Sequence, residues 1–364
     1  MSSSPETPFS KMDSLFPRKR RRPSFELLFK DNKEMDPMEV RIYMTCGDRQ
    51  QVIDGAEDDQ LIEAPSSQSM PGDGGIYKEP EPVDSLSARH TITPNSPKYV
   101  PALVNRRIYP VTTLPPRNWV ELESSLKEDQ PAAEPQEESV LILEETAKRV
   151  TSVGLVSHLM LPMIINLKAI LYQENVRMAI QAVWKTDISF VTTGLPTFDI
   201  ADPSPTLTVG YNLKHVKLPS KVMDILGSSV RPVACDNSLI VPCFTLEVDE
   251  VPEVAERKNL LNAAIMLRAL RCLRTYAGIS ETTVRQTFDW QATVLTATLS
   301  RNMLGLHCHY TTTNTVGAVE YHAKTVKKWP VQATTAREGI KYVRNAVSWA
   351  MRHNWQWIPK DLES

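Results

Sequence analysis

The 364-residue sequence predicts an α/β (α+β) fold: a central mixed β-sheet flanked by helices, behind a long disordered N-terminal region. Three observations carry that reading. Beyond about residue 139 the periodicities run helix, strand, strand, helix, strands, helix, which is the pattern of one layered domain. The strand-like runs alternate polar and apolar residues, so each has one face for a core and one for something else. Before residue 139, Pro, Ser, Asp and Glu are dense and the apolar islands are too sparse to offset the entropy of ordering. The 27 prolines against 13 glycines, and a hydrophobic fraction of 41%, fit a folded part diluted by such a tail.

The first region, 1–138, is therefore expected to be mostly disordered. Within it Pro17-Arg18-Lys19-Arg20-Arg21-Arg22-Pro23 sets five consecutive cations between two prolines. Proline holds a segment extended, so the cations are displayed rather than packed, as a nuclear import receptor requires. That predicts nuclear localisation, with a solvated charge run or a phosphate-binding tether as the competing readings. Ser4-Pro5, Thr7-Pro8, Thr93-Pro94 and Ser96-Pro97 offer phosphorylation steps of low specificity. Leu122–Glu138 is acidic and reads as a linker.

The second region, 139–358, opens with a helix from Val140 that continues through Leu155–Val176. Trp184–Phe198 alternates less cleanly and reads as strands and loops. In Pro205–Tyr211, Leu207, Val209 and Tyr211 share one face, with Thr206, Thr208 and Gly210 on the other. In Leu239–Asp249, Phe244, Leu246 and Val248 oppose Cys243, Thr245, Glu247 and Asp249. Glu253–Tyr276 carries a broad apolar helical face from Leu260 to Leu273, with Gly278 placed to cap it. Thr293–Leu299, Met303–Thr311 and Val316–Val326 suggest an antiparallel extension, and Arg337–Arg352 returns to helical period.

Composition excludes little but orders the alternatives. A net charge of −2 means that any nucleic-acid-binding surface must be local. Five unpaired-looking cysteines fit a reduced intracellular protein, and Val153–Leu171, interrupted by His158, Pro162 and Asn166, reads as a core helix rather than a membrane span. His307 and His309 share a strand face with His322 on the next strand. No Cys or acidic ligand accompanies them, so exposed strand histidines are expected rather than a zinc site. Trp349, Trp355 and Trp357 read as packing residues.

The order of a Pro-x-Leu-Thr-x-Gly-Tyr strand, a Pro-x-Phe-x-x-Glu strand and a helix resembles the PD-(D/E)XK nuclease-like superfamily, and within it a fungal domain of unknown function. The resemblance covers roughly Leu141–Ile358 and is sharpest over Pro205–Leu273; Asn105-Arg-Arg-Ile-Tyr-Pro110 also resembles an early anchoring segment of that family. It implies a PD-(D/E)XK-like core in which paired strands bring carboxylates onto Mg²⁺ beside a lysine that serves the phosphate. The matching positions depart from this. Thr206 stands where an Asp is implied, and Asp249 where the lysine is implied. Glu247 alone keeps its type. Two repairs are open: Asp202 or Asp199 as a recruited ligand with Asp249 itself on the metal, and Lys258 as a migrated lysine. Catalysis by Glu247 and Asp249, with metal on Glu247, Asp249 and Asp202, is therefore one expectation. The leading one is a nuclear DNA-, RNA- or protein-binding module that lacks catalysis and needs no cofactor. The third is a pure protein-interaction scaffold. Arg268, Arg271 and Arg274, at i, i+3 spacing, form with Lys258 the candidate nucleic-acid-binding set, a solvated helix face being the alternative.

Overall fold

A computed structural model of the chain describes residues 91–130, 134–149, 175–184, 199–216 and 239–355, with isolated positions between 217 and 238 and residue 358. The basic cluster Arg18–Arg22, the Ser4 and Thr7 steps, the Leu155–Val176 helix up to residue 174 and most of Trp184–Phe198 lie outside these residues. The chain divides into Met1–Ile42 and Tyr43–Ser364, and every described residue belongs to the second unit.

The first departure from expectation comes before residue 139. Residues 91–127 carry strand β1 (Thr91–Ile92), helix α1 (Tyr99–Val104), strand β2 (Ile108–Val111) and helix α2 (Trp119–Lys127). Apolar residues are few here, but they fall four apart where helices form. Tyr99 and Leu103 bury one face of α1, and Leu122 and Leu126 bury one face of α2. The acidic stretch read as a linker is therefore helical in its first part, because two leucines on one stripe suffice to dock it. The Asn105–Pro110 segment does anchor: β2 runs parallel to a C-terminal strand as the outer edge of the main sheet. Pro110 in that edge strand lacks an N–H to offer a further strand.

Helix α3 (Glu137–Arg149) precedes β3 (Val176–Ile180) and β4 (Asp199–Ile200); β4 pairs with β1 in a small parallel sheet. Then come β5 (Leu207–Asn212), β6 (Leu239–Val248), helix α4 (Pro252–Tyr276), helix α5 (Glu281–Phe288), β7 (Val294–Leu299), β8 (Met303–Thr313), β9 (Val319–Pro330) and helix α6 (Ala333–Trp355). The main sheet has seven strands in the order β2-β9-β8-β7-β6-β5-β3 and is mixed: β6 and β7 are parallel, joined over α4 and α5, while β3-β5-β6 and β7-β8-β9 are antiparallel. The expected α/β class with a central mixed sheet flanked by helices is what the chain forms. Pro at the first turn of α4 and Gly278 at φ 77 just past its end are the start and stop signals its sequence contains.

The helices take opposite faces of the sheet. On one, α6 lies against the apolar side: the Tyr211 hydroxyl donates to the Met351 carbonyl at 2.6 Å, and the Trp355 ring meets Tyr211 at a tilt of 45°. Gly339 lets α6 approach, since a Cβ there would sit 2.9 Å from Leu304 Cδ2. Trp349 is buried in this layer, as expected of a packing residue. On the other face lies α4, and here the sheet is polar. The register sets Glu247, Thr298, Gly305 and Lys328 in one cross-strand row and Thr208, Thr245, Thr296, His307 and Thr325 in the next. The alternation read from the sequence is thus present, but its polar side faces a helix instead of water. Consequently His307 and His309 are buried, correcting the expectation of exposed strand histidines. The His309 ring nitrogen Nε2 bonds Thr296 Oγ1 at 2.8 Å, and burial pushes the His307 imidazole down to about 3. His322 points away from this pair and stacks between Tyr109 and Tyr310 at 5.2 and 5.3 Å. Among the described residues no helix is long and apolar enough to cross a membrane.

Candidate functional site

The site the sequence singles out lies where β5, β6 and the first half of α4 meet. Antiparallel pairing of β5 with β6 brings the Thr206 end of one beside the Glu247 end of the other. Thr206 Oγ1 accepts the Val248 backbone N–H at 3.0 Å, and the Thr206 backbone N–H donates to the Glu247 carboxyl. From α4, Asn262 Nδ2 donates to Glu247 Oε1 at 2.7 Å. Asn259, one turn earlier, ties the adjacent strands: its Oδ1 accepts Thr245 Oγ1 at 3.0 Å and its Nδ2 donates to the Ala297 carbonyl at 2.7 Å. The i, i+3 spacing of the two asparagines puts both on the sheet-facing side of the helix.

Glu247 is only 2% exposed. Burial pushes its carboxyl up from 4.5 to about 7, against the pull of Asn262, Lys258 and Thr206, and Asp249 adds to the rise. Asp249 is itself engaged: Lys258 Nζ lies 2.8 Å from its Oδ2, a half-buried ion pair at the rim. The lysine does return toward the site, and what it meets there is the aspartate that stands where the family's lysine is implied. From outside, α1 closes the cluster. Tyr99 is buried, and the Glu247 charge reinforces the effect of burial in raising its phenol. Arg106, lowered by burial, lies in the field of Asp199 and Tyr99. Neither Tyr99 nor Arg106 is visible as a site residue in the sequence, because both fall in a segment whose composition reads as a tail. Asn262 is obscured differently: it sits within the apolar run Leu260–Leu273, where an asparagine carries no sequence signal of its own.

The remaining candidates are dispersed. Asp202 is exposed in the loop before Pro205, and Asp199 is exposed in β4. Among the described residues no three His, Cys, Asp or Glu side chains are grouped to hold a metal ion. The donor set at Glu247 does not fit Mg²⁺, which needs anionic oxygens with free lone pairs in octahedral array. Here the one carboxyl is buried and engaged by two N–H donors, the neighbouring hydroxyl is spent on a backbone N–H, and the second carboxylate is paired with Lys258.

The arginine stripe is corrected more sharply. Arg271 is 7% exposed, with Nη1 2.7 Å from Asp289 Oδ1 and Nη2 on Glu281. Arg274 is also buried, donating to Thr287 Oγ1 at 3.0 Å with its guanidinium over the Phe288 ring. Only Arg268 is half-exposed. Helix α5 and the ends of β8 and β9 wrap the second half of α4, so a stripe that would face water on a surface helix is enclosed.

The geometry defines a mixed α/β domain in which the Glu247 end of the paired strands is a closed, hydrogen-bonded polar tie. The chain belongs to the family described as a domain of unknown function (DUF7924), whose family model matches residues 153–362. No curated protein matches the sequence.

Proposed function

We propose that this domain is a nuclear binding module for a macromolecular partner that does not hydrolyse phosphodiester bonds. The single observation that carries the reading is the enclosure of Glu247: buried, with its carboxyl accepting from Asn262 and from the Thr206 backbone N–H. A carboxyl closed off in this way, with its oxygens already accepting N–H donors, has no open side to offer a metal ion or a water. The strand pairing and the helix after β6 are those the resemblance to PD-(D/E)XK nucleases implies, which supports an ancestry in which the scaffold outlived the chemistry.

The test is a cleavage assay of the full chain on single-stranded, duplex and branched DNA and on RNA, with Mg²⁺ and Mn²⁺. No cleavage is expected above that of a mock preparation. Metal-dependent cleavage that disappears in Asp249→Asn, a rim substitution that leaves the Glu247 hydrogen bonds in place, overturns the reading. The nuclear part rests on Arg18–Arg22. Replacing Lys19, Arg20 and Arg21 by Ala is expected to abolish nuclear accumulation of a fluorescent fusion; unchanged accumulation refutes import through this cluster.

A further inference from the structure

A partly exposed row of cations lies on α6. Arg337, Lys341 and Arg344 fall at i, i+4 and i+7 and so line one face over about 10 Å. That face is met by acidic residues from the described parts of the connector between α2 and α3, around Asp129 and Glu134. Arg337 Nε lies 2.7 Å from Glu134 Oε1, Lys341 pairs with Asp129, and Arg344 Nη1 donates to the Glu134 carbonyl at 3.0 Å. Asn345, buried beside the stripe, fixes the start of the connector by donating to the Leu126 and Glu128 carbonyls, both at 2.9 Å. Residues 121–138 hold seven carboxylates, Glu121, Glu123, Glu128, Asp129, Glu134, Glu137 and Glu138, against one cation, Lys127.

The two sides of this contact differ in kind. The backbone anchor is buried, whereas the acidic partners are open: Glu134 is 45% exposed beside Arg337 at 50%, and Asp129 is 92% exposed although its partner Lys341 is only 19% exposed. Exposed ion pairs contribute little stability and are exchanged readily for another anion. A row of cations already engaged by two carboxylates and a carbonyl is a surface for an extended polyanion. Its 10 Å matches about three steps of a duplex strand at 3.4 Å each, and arginine and lysine side chains are the usual neutralisers of phosphates. We propose that the Arg337–Lys341–Arg344 face of α6 binds a nucleic-acid phosphate backbone, and that the acidic connector carrying Asp129 and Glu134 is its built-in competitor. This rests on the reading of the domain as a binding module and names that module's partner class and its restraint.

The test uses the full chain and fluorescently labelled single-stranded DNA, single-stranded RNA and duplex DNA of about twenty nucleotides, read by anisotropy at about 50 and about 200 mM salt. Asp129→Asn with Glu134→Gln is expected to tighten binding about threefold or more at the lower salt, with the gain shrinking at the higher. Adding Arg337→Gln and Lys341→Gln is expected to remove that gain. The basic cluster Arg18–Arg22 is present in every variant, so the differences belong to α6. Tightening on DNA or on RNA supports the proposal, and the larger gain names the source. No tightening, or a gain that survives the α6 substitutions in proteins with unchanged circular dichroism, overturns it. So does a freed surface that takes poly-glutamate and ignores the oligonucleotides. Cutting of the probe would refute the non-hydrolytic reading while leaving the binding result standing, so the two failures are distinguishable.

Discussion

Asp289→Ala is expected to destabilise the domain by about 3–5 kcal/mol, the cost of removing one partner from a buried charge pair. Asp289 accepts Arg271 Nη1 at 2.7 Å, Thr311 Oγ1 at 2.7 Å and Thr313 Oγ1 at 2.5 Å, joining the second half of α4 to the end of β8. Removing it leaves a buried guanidinium with two neutral hydroxyls and the half-exposed Glu281, which neutralises it less well than the buried Asp289 did. The thermal unfolding midpoint followed by circular dichroism should fall by on the order of 10 °C. Glu281→Gln is the control. Glu281 meets the same arginine but is 44% exposed, so its loss should cost under about 1 kcal/mol. Equal effects from the two substitutions would mean that Arg271 is not held as a buried pair. The comparison also decides what the arginine stripe is for: a phosphate-binding Arg271 would tolerate loss of Asp289 and would not be saturated by side chains of its own chain.

That stripe shows where sequence periodicity stops being informative. Spacing of i, i+3 places Arg268, Arg271 and Arg274 on one side of a helix, but says nothing about what covers that side. Helix α5 does, and its own signal is local: Ser280 at the N-cap accepts the Thr283 N–H at 3.1 Å, followed by Glu281 in the first turn. The strands are more legible. Alternation in β5 and β6 correctly separates Leu207, Val209 and Tyr211 from Thr206 and Thr208, because pleating fixes that division whatever lies above the sheet. Which face is the wet one is a tertiary matter, and here neither is: the polar rows carrying Glu247, Thr296 and His307 lie beneath α4 and are satisfied largely by its asparagines and by each other. Residues 91–127 escape sequence reading for a related reason. Composition averages over a window, whereas docking needs only Tyr99 with Leu103 and Leu122 with Leu126 on the right stripes of two short helices. The consequence reaches the site, since α1 is what closes it.

The closed site makes a prediction of opposite sign to the usual carboxylate. Glu247 has its pKa raised on folding, from 4.5 to about 7. Between those values the folded state binds the proton more tightly than the unfolded state does, so stability falls as pH rises through that window. The full change is about 3 kcal/mol, because each tenfold difference in proton affinity between the two states is worth about 1.4 kcal/mol. A carboxyl that works by ion pairing would show the reverse, losing stability as pH falls. The protonated form also has a place for its hydrogen. Asn262 Oδ1 is buried without a hydrogen-bond partner, and a half-turn of that amide presents it to the carboxyl O–H. Glu247→Gln puts an amide N–H where that O–H would be and keeps an oxygen to accept the Thr206 N–H. The substituted protein is therefore expected to unfold at a temperature independent of pH between about 5 and 8 as far as this position contributes, and to exceed the parent at about pH 8. Glu247→Ala, which leaves both N–H donors without an acceptor, should be less stable than either at every pH. A parent protein that gains stability between about pH 5 and 8, with the gain abolished in Glu247→Gln, would mean that Glu247 is ionised in the folded state and available to a cation after all. That outcome would reopen the metal-dependent reading of the site.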